Sequence, residues 1–205
     1  MGGNETARIE AFSDGVFAIA VTLLIIEVHT PAREHAATLG HELLDQWPSY
    51  LGYLTSFLTI GVMWLNHHRV FTLIDRYDHT HMLLNLLMLL LIAFLPFPTA
   101  VLARFIETDG ARAAVALYGV TMVLIAIAFF CWWRYAASGR RLISPGVPQD
   151  QLDAITRAYN PGTPLYAAAL GLGLLEPWVG AAAFLALAVF YALPWEQWRS
   201  RRRPR

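Results

Sequence analysis

The chain has 205 residues, 57% of them hydrophobic and only 15% charged, well short of the roughly 25% charged residues of a soluble domain. All 15 basic side chains are arginine and the formal net charge is zero; the basic run at 199–205 has no base-reading or stacking face beside it, which argues against a nucleic-acid partner. Cys131 is the single cysteine, so an intrachain disulfide and a cysteine metal cluster are both excluded.

Apolar runs that approach the ~30 Å thickness of bilayer hydrocarbon recur along the chain. They predict an all-α polytopic membrane protein with six transmembrane helices, at about 12–28, 49–69, 81–103, 113–135, 162–176 and 178–195. The first run is bracketed by Asp14 and Glu27 and no small-residue cleavage site follows it, so it is expected to stay in the mature protein. The second ends in Asn66, His67 and His68, which need shielding by protein. The third contains Pro96 and Pro98, residues that kink helices by removing backbone donors. After the fourth, the stretch 136–162 holds Pro145, Pro148 and Pro161 and is expected to be a polar linker with one short surface helix near 150–159. The fifth run is short and turns tightly into the sixth at Glu176 and Pro177, with Gly171, Gly173 and Gly180 allowing close approach. The expected organisation is a single membrane domain over 1–198 followed by a basic tail at 199–205.

The loops test this layout independently. Six spans put both termini on one side, and 12 of the 15 arginines fall there: Arg8, Arg69, Arg76, Arg134, Arg140, Arg141, Arg157 and five in the tail. Arg33, Arg104 and Arg112 lie opposite, so the positive-inside rule makes both termini cytoplasmic. The outer side carries Glu27, Glu34, Glu42, Asp45, Glu107, Asp109 and Glu176, a surface that attracts cations. Tryptophans at the run ends, including Trp47, Trp133 and Trp178, match interfacial belts.

The most informative stretch opens the first helix: Arg8, then Phe12-Ser13-Asp14, then an apolar helix with Thr22 in its middle. This pattern, together with Trp64-Leu65-Asn66-His67-His68-Arg69 in the second helix, resembles the endolysosomal-type potassium channel family, called transmembrane protein 175 in animals. Helical geometry alone puts Ile19, Leu23 and Ile26 on one stripe with Thr22 beside it, and Asp14, Phe17, Val21, Leu24 and Val28 on the opposite one. Both stripes are largely apolar, so periodicity does not say which meets a pore, and apolar stripes in membranes usually just pack.

The resemblance supplies the rest. It implies that the first helix is innermost, that a homotetramer surrounds the pore, and that Ile19 forms the constriction, with Leu23 and Ile26 continuing the lining. It implies potassium-permeable conduction of monovalent cations in an integral membrane protein of the lipid bilayer, expected in a bacterial plasma membrane. Thr22 is the hydroxyl nearest the constriction and could replace part of an ion's hydration shell; its alternative is a bond back to its own helix. A Thr-Val-Gly-Tyr-Gly filter loop does not occur in the sequence.

Ionisable groups in a membrane helix require partners. Arg8, Phe12, Ser13 and Asp14 should meet Trp64, Asn66 and His67 of the second helix in a structural network, since the two helices run in opposite directions. A competing reading takes His67, His68, His79 and His81 as metal or haem ligands, but adjacent histidines diverge by about 100° on a helix. No cofactor and no enzymatic activity is therefore expected. The alternative function is a proton-conducting or proton-coupled transporter built on Asp14 and His67.

Overall fold

The structure, a computed structural model, describes residues 2–32 and 37–193, which are almost wholly α-helical. The tail at 199–205 and the end of the last predicted span lie outside the described residues. Helix is the natural outcome for so apolar a chain, because it closes every backbone hydrogen bond within its own segment.

Helix α1 spans Gly2–Leu23 and tightens into a 3-10 turn over Leu24–Glu27, so it begins well before the apolar run that marks it in the sequence. A short helix that no apolar run announces, α2 (Leu39–Asp45), precedes α3 (Trp47–Phe71). Pro48 sits in the first turn of α3, where a missing N–H costs nothing. The third predicted span is two helices, α4 (His79–Phe94) and α5 (Pro96–Phe105), and the fourth is α6 (Ala111–Ala137). The linker carries α7 (Gln149–Tyr159), and α8 (Gly162–Leu175) and α9 (Pro177–Ala192) follow.

The break at Leu95 follows from proline chemistry. Pro96 and Pro98 cannot donate to the carbonyls of Ile92 and Phe94. The Leu95 N–H turns to Ile92 O at 3.1 Å instead, and the Thr99 hydroxyl donates to Leu95 O at 2.9 Å. With its proton committed there, Thr99 accepts from Ser56 at 2.8 Å, and Ser56 in turn accepts from the Tyr118 hydroxyl at 3.2 Å. This buried relay joins α3, α5 and α6 beside the break.

Helix α6 is the centre of the bundle, packing against α4, α5, α8 and α9. Val115, Tyr118, Met122, Ile125, Phe129 and Trp132 recur every three or four residues along it and are all buried. At one end, the α3–α4 connection meets the segment after α6: Asp75 N–H donates to Leu142 O at 3.0 Å and Ser144 N–H to Leu73 O at 2.9 Å. Arg140 holds that segment from a left-handed backbone conformation (φ 55°), its guanidinium donating to Val147 O at 2.6 Å. Asp78 caps α4, accepting from His81 N–H at 2.9 Å and from the Tyr135 hydroxyl at 2.7 Å. Desolvation opposes the charge on Asp78, but these bonds and nearby Arg141 outweigh it and hold the carboxyl below its usual range.

By length and composition, Ala7–Glu27, His79–Phe105 and Ala111–Arg140 are each able to cross a membrane, and Pro177–Ala192 is a shorter apolar helix. Helices α8 and α9 touch backbone to backbone at Gly173 and Gly180. A Cβ at Gly180 would overlap the Gly173 backbone, and one at Gly173 would overlap Val115. Gly180→Val should therefore destabilise the protein by about 1–3 kcal/mol or prevent folding. Gly171→Ala, where nothing lies within 4 Å, should leave stability unchanged or raised by up to about 1 kcal/mol. Thermal unfolding of the purified variants in detergent checks both.

Candidate pore-lining helix and its anchoring network

Helix α1 packs on α3 and α4 through one face only. Ser13, Phe17, Ala20 and Leu24 form that face, with Phe17 2% and Leu24 0% exposed. The other face carries Phe12, Ile19, Thr22, Leu23 and Ile26, with Ile19 61% and Ile26 64% exposed. Gly15 and Ala18 lie on the same outward face, and at Gly15 an added Cβ would meet nothing within 4 Å. The stripe of branched side chains is thus left without a partner within the subunit.

A chain of hydrogen bonds sets which face points out, and proton counting gives its direction. The Ser13 hydroxyl donates to Ile9 O at 2.9 Å, so its oxygen must accept from Asn85 Nδ2 at 3.1 Å. The Asn85 carbonyl oxygen then faces His67, whose Nε2–H donates to it at 3.0 Å. Ser13, His67 and Asn85 are 0%, 0% and 2% exposed, so the relay is shielded and ties α1, α3 and α4 at one level. The His67 ring is held further by Phe17, at 5.2 Å between centroids, and stacks on Trp132 of α6 at 5.0 Å.

Two pairs at the surface of the α1–α3 contact add to it. Trp64 Nε1–H donates to Asp14 Oδ1 at 2.8 Å, and His68 Nδ1–H donates to Glu10 Oε1 at 2.9 Å. The pair at His68 is exposed, so it contributes under about 1 kcal/mol. Thr22 donates to Ile19 O at 2.9 Å, which is the back-bonded arrangement, and its oxygen lone pairs remain on the outward face.

The grouping differs in part from that expected. Ser13, Asp14, Trp64 and His67 do lie at the α1–α3 contact, but Arg8 makes no hydrogen bond or ion pair with a described residue, and the Phe12 ring is 58% exposed. The Asn66 side chain points away from α1 into a cleft shared with α6, α8 and α9; only its backbone carbonyl is engaged, by the Tyr159 hydroxyl at 3.3 Å. Asn85, Trp132 and Glu10 complete the contact and were not among the expected network residues. Asn85 carried a signal, being an amide well inside the third apolar run; Trp132 carried none, since tryptophans near run ends equally mark interfaces. His67 and His68 diverge to different partners, and no group of three or more His, Cys, Asp or Glu among the described residues could hold a metal ion.

Because every member of the relay is buried, removing its centre leaves the His67 Nε2–H without an acceptor, while Ser13 keeps its bond to Ile9 O. Asn85→Leu should cost about 1–3 kcal/mol for each polar group left unpaired. Asn85→Asp should keep more of the stability by still accepting from His67. Unfolding temperatures in detergent rank the two variants below the native protein, with Leu lowest.

The sequence profile of the family described as "Endosomal/lysosomal potassium channel TMEM175" matches residues 8–96, the stretch containing α1, α3 and α4. A protein of Chamaesiphon minutus named as a potassium channel is 45% identical over 192 residues, 93% of this chain and 95% of that one. One of Streptomyces collinus, also named as a potassium channel, is 43% identical over 190 residues, 92% of each chain. Among solved structures, the crystal structure of a lysosomal potassium-selective channel TMEM175 homolog from Chamaesiphon minutus superposes with a TM-score of 0.84 at 44% identity, covering 92% of this chain and 97% of that one. With its apolar helices this is an integral membrane protein, and near-full-length identity of this order together with the shared fold makes it a member of the TMEM175 family.

Proposed function

We propose that the chain is the subunit of a potassium-permeable channel in which the outward face of α1 from each copy lines a central axis. The observation that carries the reading is the division of α1 into a clamped face, Ser13, Phe17, Ala20 and Leu24, and an apolar face without a partner in the subunit. Two near-full-length relatives that carry the name potassium channel support it. In this reading α1, α3, α4 with α5, α6, α8 and α9 are six spans, both termini are cytoplasmic, and the membrane is a bacterial plasma membrane. The assembly is a homotetramer, closed rotational symmetry being the common solution for identical subunits.

Conduction follows from the side chains on the axis. Rings of Ile19, Leu23 and Ile26 make an apolar constriction that closes when it loses water and conducts when it is wetted. Thr22 has already given its proton to Ile19 O, so towards an ion it presents only oxygen lone pairs. That is the orientation a cation needs. Asp14, bonded to Trp64, belongs to the scaffold rather than to the ion path.

Purified protein reconstituted alone into liposomes should pass potassium down its gradient, and well-assembled protein without flux would defeat the reading. Ile19→Asn should raise the leak by about tenfold or more, equivalent to taking about 1.4 kcal/mol from the barrier. An unchanged flux would remove Ile19 from the constriction. Proton flux without potassium flux, lost in Asp14→Asn, would support a proton pathway instead. The oligomeric mass in detergent should be that of a tetramer.

A further inference from the structure

At the arginine-rich end of the bundle, α3, α6, α8 and α9 leave a cleft that is separate from the exposed face of α1. Its walls are mostly apolar, with Val62, Met63, Ile125 and Phe129 prominent. The room inside it is about 80 Å³, below the ~300–1,000 Å³ of an enclosed small-molecule site, so it is a groove that seats part of a chain.

Three polar side chains around this apolar space lack hydrogen-bond partners. The Tyr191 hydroxyl is buried and has no hydrogen-bond partner. The Tyr166 side chain, 8% exposed, and the Asn66 carboxamide likewise make no hydrogen bond to a described residue. In water such groups are solvated at no cost, but in a bundle surrounded by hydrocarbon each unpaired hydroxyl or amide costs several kcal/mol. Tyr166 and Asn66 offer a hydroxyl and an amide donor at the groove, and the Tyr191 hydroxyl lies behind its wall.

The charge around the mouth narrows the occupant. Arg69 follows Asn66 by about one turn on α3 and Arg157 precedes Ala158 of the cleft wall on α7, and both arginines are exposed. Neither guanidinium is ion-paired to a described residue. An occupant that satisfies all of this has an apolar tail, ester or phosphate oxygens as acceptors, and a negative charge. We propose that the cleft binds one anionic glycerophospholipid per subunit from the adjacent leaflet. One acyl chain lies between Met63, Ile125 and Phe129, the ester oxygens accept from Tyr166 and Asn66, and the phosphate faces Arg69 and Arg157. The site serves as a lipid anchor where the α7 linker meets the bundle, and its occupancy does not depend on conduction.

Native mass spectrometry of the delipidated protein, titrated separately with phosphatidylglycerol and phosphatidylcholine, tests it. Phosphatidylglycerol should bind at one molecule per subunit about tenfold more tightly than phosphatidylcholine, a difference of about 1.4 kcal/mol. The variant Tyr166→Phe removes only one hydroxyl and should weaken phosphatidylglycerol binding about tenfold at unchanged oligomeric mass. Arg69→Gln/Arg157→Gln should abolish the preference between the two lipids, and Ala126→Phe, which fills the cleft, should prevent binding. Equal binding of both lipids by the native protein, no retained lipid, or retention unaltered in Tyr166→Phe would each overturn the site. Potassium flux is not part of the readout, so a failure here and a failure of the channel reading are distinguishable.

Discussion

The hydrogen-bond relay from His67 through Asn85 to Ser13 is the constraint on which the arrangement of α1 depends. A helix that is apolar on all sides has no hydrophobic reason to choose one rotation over another in lipid, since hydrocarbon solvates Phe17 as readily as Ile19. Rotating α1 would pull Ser13 away from Asn85 and leave the buried Asn85 amide N–H without its acceptor, at a cost of about 1–3 kcal/mol. The polar residues therefore set the azimuth, and the apolar ones fill the space that results: Phe17 against His67, Ala20 and Leu24 in the core. Exposure of Ile19 is a consequence of where Ser13 is tied.

A second relay does comparable work elsewhere. Tyr118, Ser56 and Thr99 run from α6 through α3 to the carbonyl of Leu95, beside the proline break between α4 and α5. The break would otherwise leave carbonyls unsatisfied and a flexible joint. The two relays share α3, one through Ser56 and the other through His67, three helical turns apart. Helix α3 is thus registered against α5 and α6 at one level and against α1 and α4 at another, so its position is over-determined. Its moderate apolarity is the result of carrying these polar contacts.

Much of this was legible in the sequence, and what was not has a physical cause. Apolar runs marked the long helices because hydrocarbon tolerates nothing else, and Pro96 with Pro98 marked the break because neither has an N–H. The two faces of α1 could be written down from its period. Helix α2 carried no such signal: Leu39–Asp45 is too short for a period to show. Partner choice was harder still. That Ser13 and Asp14 need partners follows from their cost in a membrane, but whether Asn66 or His67 answers depends on the rotation of α3, and the two differ by about 100°. The packing of α3 on α6, through His67 on Trp132, decides it by turning His67 inward and Asn66 towards the cleft. Arg8 illustrates the same limit, because a long side chain beyond the apolar run is free to reach solvent.

The proposed constriction places the burden of selection on hydration rather than on a cage of ligands. A ring of isoleucines offers an ion no oxygen, so passage requires that water enter with it, and discrimination then depends on how much of that water is shed. Thr22 lies on the outward face within a turn of Ile19, and its hydroxyl proton is committed to Ile19 O. A ring of such oxygens can replace a water or two but cannot enclose an ion as stacked carbonyls do, so preference for the more easily dehydrated potassium ion over sodium is expected to be modest. Strong selectivity would require a more rigid oxygen cage than a single threonine per subunit provides. In this proposal the same geometry separates stability from conduction: the residues that fix α1 face away from those proposed to meet the ion, and each set can change without rebuilding the other.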